Sequence, residues 1–293
     1  MNLSLDSAGR QLIAAIRDRA AIAPASASGW DVFDLIGLTP VLTADGDSQP
    51  LGLLEWCLIF EELGALGRDL AQMRSVRTFL DVFVWESEGR DPGSSAEAFA
   101  GWVAARRSAG HATLSMRRSL PSSAGQEQAW HAAVSTAAAE LSAEAPASRM
   151  SVDRDLLTCA AYAVGVGRRC LEIAQDRAGE RVLGGKRLLE HQSTAHRLAE
   201  AAVCLALARV GIWRCAGGRD EPQLGDHRLL AAVADAVMAG LACSRAAVQM
   251  FGAAGTSDPV MTWPYHTAHG MTAVCGSPRA LWESAGDRQG GAA

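Results

Sequence analysis

The sequence predicts a mainly α protein: an antiparallel four-helix bundle from about residue 150 to 293, preceded by a helical region at the N-terminal end. Three observations lead there. Apolar residues make up 49% of the chain but aromatics only 5%, and the apolar share is heavily Ala, Leu and Val; Ala and Leu are strong helix formers. After residue 150, long stretches repeat apolar residues at helical spacing. The connections between them are short, so consecutive helices pack antiparallel around one core.

The elements follow in order. Within 1–84, residues 6–20 put Leu12, Ile13 and Ile16 on one face, and Gly29 to Pro40 reads as a connector. Gln49-Pro50 precedes a second helix from Leu51 to about Arg68, in which Leu53, Leu54, Cys57, Leu58 and Phe60 to Leu63 recur at helical spacing. An apolar stretch, Val76 to Val84, closes this region. Residues 85–149 form a middle segment rich in Ser, Gly and Ala, with a brief strand-like run from Ala112 to Met116; Gln126 to Glu144 reads equally as an Ala-rich helix. In the region 150–293, Asp153 to Gln175 carries acids in its first turn, where they complement the helix dipole. Arg187 to Ala216 ends at Gly217-Gly218, a C-cap signal. Asp226 to Phe251 carries Leu230, Val233, Val237, Leu241 and Val248 on one stripe, ends at the turn Gly252 to Gly255, and is kept from continuing by Pro259. A short last helix is predicted from Pro264 to Val274.

Charge and special residues narrow the function. A net charge of −5 carries no basic excess, which argues against a nucleic-acid partner. The seven cysteines are an odd number without a CxxC pair, and read as reduced thiols in the core of a cytoplasmic protein. The N-terminal run mixes acidic and basic residues into its apolar positions, unlike a signal peptide. Leu229 to Phe251 contains Asp235 and Arg245, which are expensive in lipid, so it reads as a buried helix and no membrane contact is expected. His266 and His269 are spaced like a metal-binding pair but lack an acidic or sulfur partner, so no metal is expected. Gly165-Val166-Gly167 lies inside a helical pattern with no strand before it; it reads as a site of close helix packing and not as a dinucleotide fingerprint.

Four further features occur in order. Arg181 precedes Gly184-Gly185-Lys186 and then Gln192, eleven residues on; His196-Arg197-Leu198-Ala199 follows; Gln249-Met250-Phe251-Gly252-Ala253-Ala254-Gly255 comes later; and Trp30, Ile36-Gly37-Leu38, Pro40 and Glu61-Glu62-Leu63-Gly64 stand near the start. In this the chain resembles the acyl-CoA dehydrogenase family, whose C-terminal domain is an antiparallel four-helix bundle. The resemblance implies that Arg181, Gln192, Gln249, Gly252 and Gly255 contact the adenine and pyrophosphate end of an FAD bound mainly to a neighbouring subunit. An Arg suits a pyrophosphate because its planar fork donates two hydrogen bonds at once, and glycine lets backbone approach a ligand without a Cβ in the way.

The same resemblance points to a base that takes the α-proton of an acyl thioester. Most members carry it in a Glu-Gly-Thr run after the glycine turn. Cys275-Gly276-Ser277 stands there instead, without a carboxylate. A minority place a Glu 26 residues before the Arg, a position occupied here by Asp155 (181 − 26). The family's middle β-domain is reduced here to a vestigial 85–149 segment. The resemblance therefore implies FAD shared at a subunit interface, in a homo-dimer, a homo-tetramer or a heteromer that completes the site of a full-length dehydrogenase. The substrate is an acyl-CoA or a carrier-bound acyl group. Two alternatives stay open: a flavin-free helical scaffold, and a non-redox acid–base enzyme on the same bundle.

Overall fold

The computed structural model describes residues 7–22, 52–67, 149–217 and 227–290. The chain divides into two units, and the first, formed by residues 1–22, 51–70 and 152–293, contains nearly all of these described residues. The expectations for Gly29 to Pro40, Val76 to Val84 and the vestigial β-domain at 85–149 lie outside the described residues.

The first unit is helical. In chain order it contains α1 (Ser7–Ile22), α2 (Leu53–Ala65), α3 (Arg149–Glu180), a two-stranded antiparallel hairpin of β1 (Val182–Leu183) and β2 (Lys186–Arg187), α4 (Gln192–Gly217), α5 (His227–Phe251), α6 (Pro259–Cys275) and α7 (Pro278–Gly290). One-turn 3-10 segments at Leu188–Glu190 and Gly252–Thr256 precede α4 and follow α5.

α3 is the axis. Every residue from Leu157 to Gly167 is buried, so its partners surround it instead of covering one face. Small residues make that possible. A Cβ added at Gly165 would run into the carbonyl oxygen of Glu61 on α2, and one at Gly64 would meet the backbone of Tyr162. On the other side a Cβ at Gly167 would come within 2.9 Å of Leu205 on α4 and 3.1 Å of Gly240 on α5. Gly165-Val166-Gly167 is thus a two-sided packing site, as its place within a helical pattern predicts. Each mid-helix glycine costs about 0.5–1 kcal/mol against alanine; here the close backbone approach offsets it. α5 packs on α4, α6 and α7, and α2 packs on α1 and α4.

Two segments differ from the sequence reading. The helix predicted from Arg187 begins at Gln192, because Gly184 and Gly185 both adopt positive φ (61° and 80°) and turn residues 182–187 into a hairpin pairing Val182 with Arg187. Two successive left-handed residues make the tight turn that matches strand twist. The last predicted helix is longer and is followed by another. Asp258 caps α6 by accepting the Val260 N–H at 2.9 Å, with Pro259 in the first turn, where its missing donor is not needed. Ser277 then caps α7, its Oγ accepting the Ala280 N–H at 3.3 Å.

The N-terminal helices are held by apolar burial and by charge. Ile16, Leu58, Ile59, Phe60 and Leu63 are fully buried, each stabilising by about 1.5–3 kcal/mol. Among them sit Glu61 and Glu62, only 2% and 1% exposed. Glu62 accepts two bonds from Arg168 of α3, both at 2.7 Å, and two from Arg17 of α1, at 2.8 and 2.9 Å. Glu61 accepts from the Arg209 Nε of α4, which lies 2.8 Å from one carboxylate oxygen and 3.0 Å from the other. Arg209 also stacks 4.4 Å over Trp213. Burial pushes both carboxyls toward a higher pKa, and their arginines push the other way. At Glu62 the bonds from Arg168 and Arg17 outweigh burial and leave its carboxyl below the ordinary range. At Glu61 burial prevails over Arg209 and Arg168, so its carboxyl stays above that range.

Candidate cofactor-binding site

The site lies where α3 ends, the hairpin turns and α5 ends. Arg181 is the first residue past α3 and its N–H still donates to the Arg177 carbonyl at 3.0 Å. The hairpin folds back so that the Leu188 N–H donates to the Arg181 carbonyl at 2.7 Å. A ring nitrogen of His191, Nε2, lies 3.0 Å from the Leu183 carbonyl oxygen and ties the hairpin to the start of α4.

The Arg181 side chain crosses to the end of α5. Its Nη1 donates to the carbonyls of Met250 (3.1 Å) and Phe251 (3.3 Å), two of the carbonyls a helix leaves unsatisfied at its C-terminus. Gly252 follows with φ 67°, and a Cβ there would sit 3.3 Å from Arg181 Nη1. The glycine therefore suits both the left-handed backbone and the guanidinium beside it. Gly255 is buried, and a Cβ on it would approach the Val248 carbonyl to 2.7 Å. Arg181, Gly252 and Gly255 are thus brought to one end of the bundle. Gln249 is exposed on α5 one turn before Gly252, and Gln192 is exposed as the first residue of α4. Neither glutamine is hydrogen-bonded to Arg181 among the described residues. The Nε and Nη2 donors of Arg181 have no protein partner among the described residues, and a guanidinium with two donors to spare fits an anion such as a dinucleotide pyrophosphate.

Arg177 is a residue the sequence reading passed over. Its guanidinium lies 5.4 Å over the Phe251 ring, so two arginines four residues apart grip the same end of α5. The i, i+4 spacing was the available signal.

Asp155 lies elsewhere. α3 runs unbroken from Arg149 to Glu180, and at 1.5 Å rise per residue Asp155 is roughly 39 Å along the axis from Arg181. Its side chain lies outside the described residues. The separation exceeds the reach of one dinucleotide, so Asp155 and Arg181 of one chain cannot serve the same cofactor molecule. Cys275-Gly276-Ser277 is the α6–α7 connection: a buried thiol, a glycine at φ 100° and the cap of α7. His266 is exposed, while His269 stacks on Tyr265 at 4.4 Å; among the described residues no three potential metal ligands cluster. Among the described residues one helical stretch, His227–Thr256, is long and apolar enough to cross a membrane, but most of its apolar window is buried inside the protein.

Residues 147–277, which span α3 to α6, match the family model described as acyl-CoA dehydrogenase, C-terminal domain. Among solved structures, butyryl-CoA dehydrogenase from Megasphaera elsdenii is 25% identical over 48% of this chain and 37% of its own, with a TM-score of 0.44. A glutaryl-coenzyme A dehydrogenase in complex with glutaryl-CoA is 29% identical over 48% and 36%, also at 0.44. The ChsE4–ChsE5 complex from Mycobacterium tuberculosis is 19% identical over 47% and 38%, again at 0.44. The chain thus covers little more than a third of each of these proteins, and what they bind or act on is theirs. Residues 147–277, a little under half of the chain, are similar to the C-terminal domain of the acyl-CoA dehydrogenases.

Proposed function

We propose that the chain is a subunit of an acyl-CoA dehydrogenase-type flavoenzyme that completes the FAD site of a full-length partner, in an assembly carrying out α,β-dehydrogenation of an acyl-CoA or carrier-bound acyl thioester. The observation that carries this reading is the meeting of Arg181 with the Gly252 turn, which leaves a cationic fork with two spare donors at a bundle end where a side chain on residue 252 would intrude. Arg181 neutralises pyrophosphate charge, Gln192 and Gln249 supply exposed amide donors, and Gly252 and Gly255 keep the backbone close and free of side chains. FAD, when bound, supplies the acceptor for the substrate's β-hydride. Asp155 is the candidate for removing the α-proton, at the far end of α3 and therefore in a different flavin site from the one Arg181 serves. The expected setting is the cytoplasm.

The bonds from Arg181 Nη1 to the Met250 and Phe251 carbonyls favour a second reading, in which Arg181 only caps α5 and the chain is a flavin-free scaffold. One experiment separates the two. The chain is purified alone and after co-expression with a full-length dehydrogenase subunit, and flavin absorbance is recorded for wild type and Arg181→Ala. Yellow colour only in the complex, with flavin affinity falling about 10- to 100-fold in the variant as loss of a charged hydrogen-bond donor would give, supports the shared site. Colourless preparations in both cases, with only the melting temperature lowered by the substitution, would leave the scaffold.

A further inference from the structure

Arg177 and Arg181 bring more positive charge to one end of the bundle than the fold uses. They stand one helical turn apart, and the bond from the Arg181 N–H to the Arg177 carbonyl keeps that turn helical, so both side chains leave on one face. Both reach the end of α5. The Arg177 guanidinium lies 5.4 Å over the Phe251 ring, and Arg181 Nη1 donates to the Phe251 carbonyl at 3.3 Å. Among the described residues no carboxylate pairs with either arginine. Asp176 and Glu180, the acids beside them in sequence, are exposed, and the Nε of Arg177 is buried without a hydrogen-bond partner. Cations at this spacing repel. The C-terminal carbonyls of α3 and α5 offset only part of the charge, since a helix end presents about half an elementary charge.

A pyrophosphate diester answers that excess, because it carries a negative charge on each of its two phosphates, and a single arginine fork matches only one of them. We infer that Arg177 is a second anion-binding residue of the candidate site, its guanidinium taking one phosphate while Arg181 takes the other. This rests on reading the bundle end as the seat of FAD's pyrophosphate, and adds to that reading a residue outside the Arg181, Gln192 and Gly252 pattern. The negative face of the Phe251 ring holds the Arg177 cation. The fork is thereby placed before a ligand arrives, and less side-chain freedom is lost on binding. With Nε buried, the terminal nitrogens of Arg177 meet the anion, beside the spare Nε and Nη2 of Arg181. A site built this way selects two linked phosphates over one.

Calorimetric titration of the full chain at low salt, with inorganic pyrophosphate and with inorganic phosphate, tests this without flavin or a partner. Wild type is compared with Arg177→Met and Arg177→Lys, each checked for folding by circular dichroism. Methionine keeps an unbranched side chain against Phe251, where its sulfur packs well on the ring, and removes the fork. Wild type is expected to bind pyrophosphate at least about tenfold more tightly than phosphate. Arg177→Met should erase most of that preference while changing phosphate affinity less than about threefold. Arg177→Lys, which keeps the charge without the fork, recovers part of it. If Arg177 only braces Phe251, the methionine variant melts lower but its ratio of pyrophosphate to phosphate affinity matches wild type. That result, or a wild type without a preference, overturns the inference. Flavin absorbance of the complex with a full-length dehydrogenase subunit reads the parent proposal separately. A colourless complex from a chain that selects pyrophosphate through Arg177 keeps this site and refutes FAD in it. A yellow complex whose chain shows no effect of Arg177 on anion preference keeps FAD and discards Arg177.

Discussion

Glu62→Leu is expected to lose about 3 kcal/mol of stability, the low end of the range for removing one partner of a buried ion pair, because the other charge keeps only its longer contacts. The charge left behind is Arg168, whose side chain is 19% exposed, forms two 2.7 Å bonds to Glu62 and otherwise has only longer contacts to Glu61 (3.4 Å) and Glu172 (3.8 Å). Arg17, on the opposite side of Glu62, is 53% exposed and regains water when its partner goes. Arg17→Leu is therefore expected to cost only about 0–1 kcal/mol, and the contrast between the two variants in urea unfolding is the measurement. Equal losses would mean that the carboxylate does not act through Arg168. The pH dependence has a definite sign. The folded-state pKa of Glu62 is depressed, so its contribution is present above its ordinary value of 4.5 and is lost as pH falls through the lower folded value. Glu61 is shifted the other way: it takes up a proton in the folded state before it would when unfolded, which favours the native state as pH drops toward 4.5. Acid destabilisation through this pair is thus expected only below 4.5, and Glu62→Leu removes the Glu62 share of it.

Gly165→Ala has the second large effect. The added methyl collides with the Glu61 carbonyl oxygen, and backbone, unlike a side chain, cannot rotate away. Overpacking of this kind costs typically 1–3 kcal/mol where side chains can adjust; against a backbone atom we expect about 3 kcal/mol or more, with α2 displaced from α3. Gly179→Ala, near the end of the same helix, is the internal control. An added Cβ there meets nothing within 4 Å, so the substitution should stabilise by about 0.5–1 kcal/mol through backbone entropy. Thermal melts of the two variants should move in opposite directions. A Gly165→Ala protein as stable as wild type would show that α2 does not lie against α3 at this point.

These two sites also show what the sequence could and could not say. Helical spacing located α1, α2, α3 and α5 to within a few residues because each buries apolar residues at regular intervals, and that burial is local information. The hairpin at 182–187 was hidden by its neighbours: Val182, Leu183, Leu188 and Leu189 look like the start of the next helix until two adjacent glycines are allowed positive φ. α7 was missed because its apolar content is sparse, with Leu281 and Ala285 the only buried side chains among its described positions. At the candidate site, the Arg181 to Gln192 spacing and the Gly252 turn were readable as a family pattern. That Arg181 and Gly252 touch was not, since 71 positions separate them. The same holds for Glu61 and Glu62. Two acids inside an apolar run signalled something unusual, but their arginines lie on three other helices, and only folding reveals the matching.

The first unit is assembled from stretches far apart in the chain, and the ion pairs from α2 to α3 and α4 join residues 106 to 148 positions apart. Between Leu70 and Val152 the polypeptide leaves this unit and returns to it. The entropy of closing such an excursion grows only with the logarithm of its length, so doubling or halving it changes the free energy by about 0.6 kcal/mol. The helical scaffold is therefore nearly indifferent to how many residues the excursion holds. Lineages could shorten or expand that insertion under quite separate pressures while the clamp around Arg168 stayed as it is.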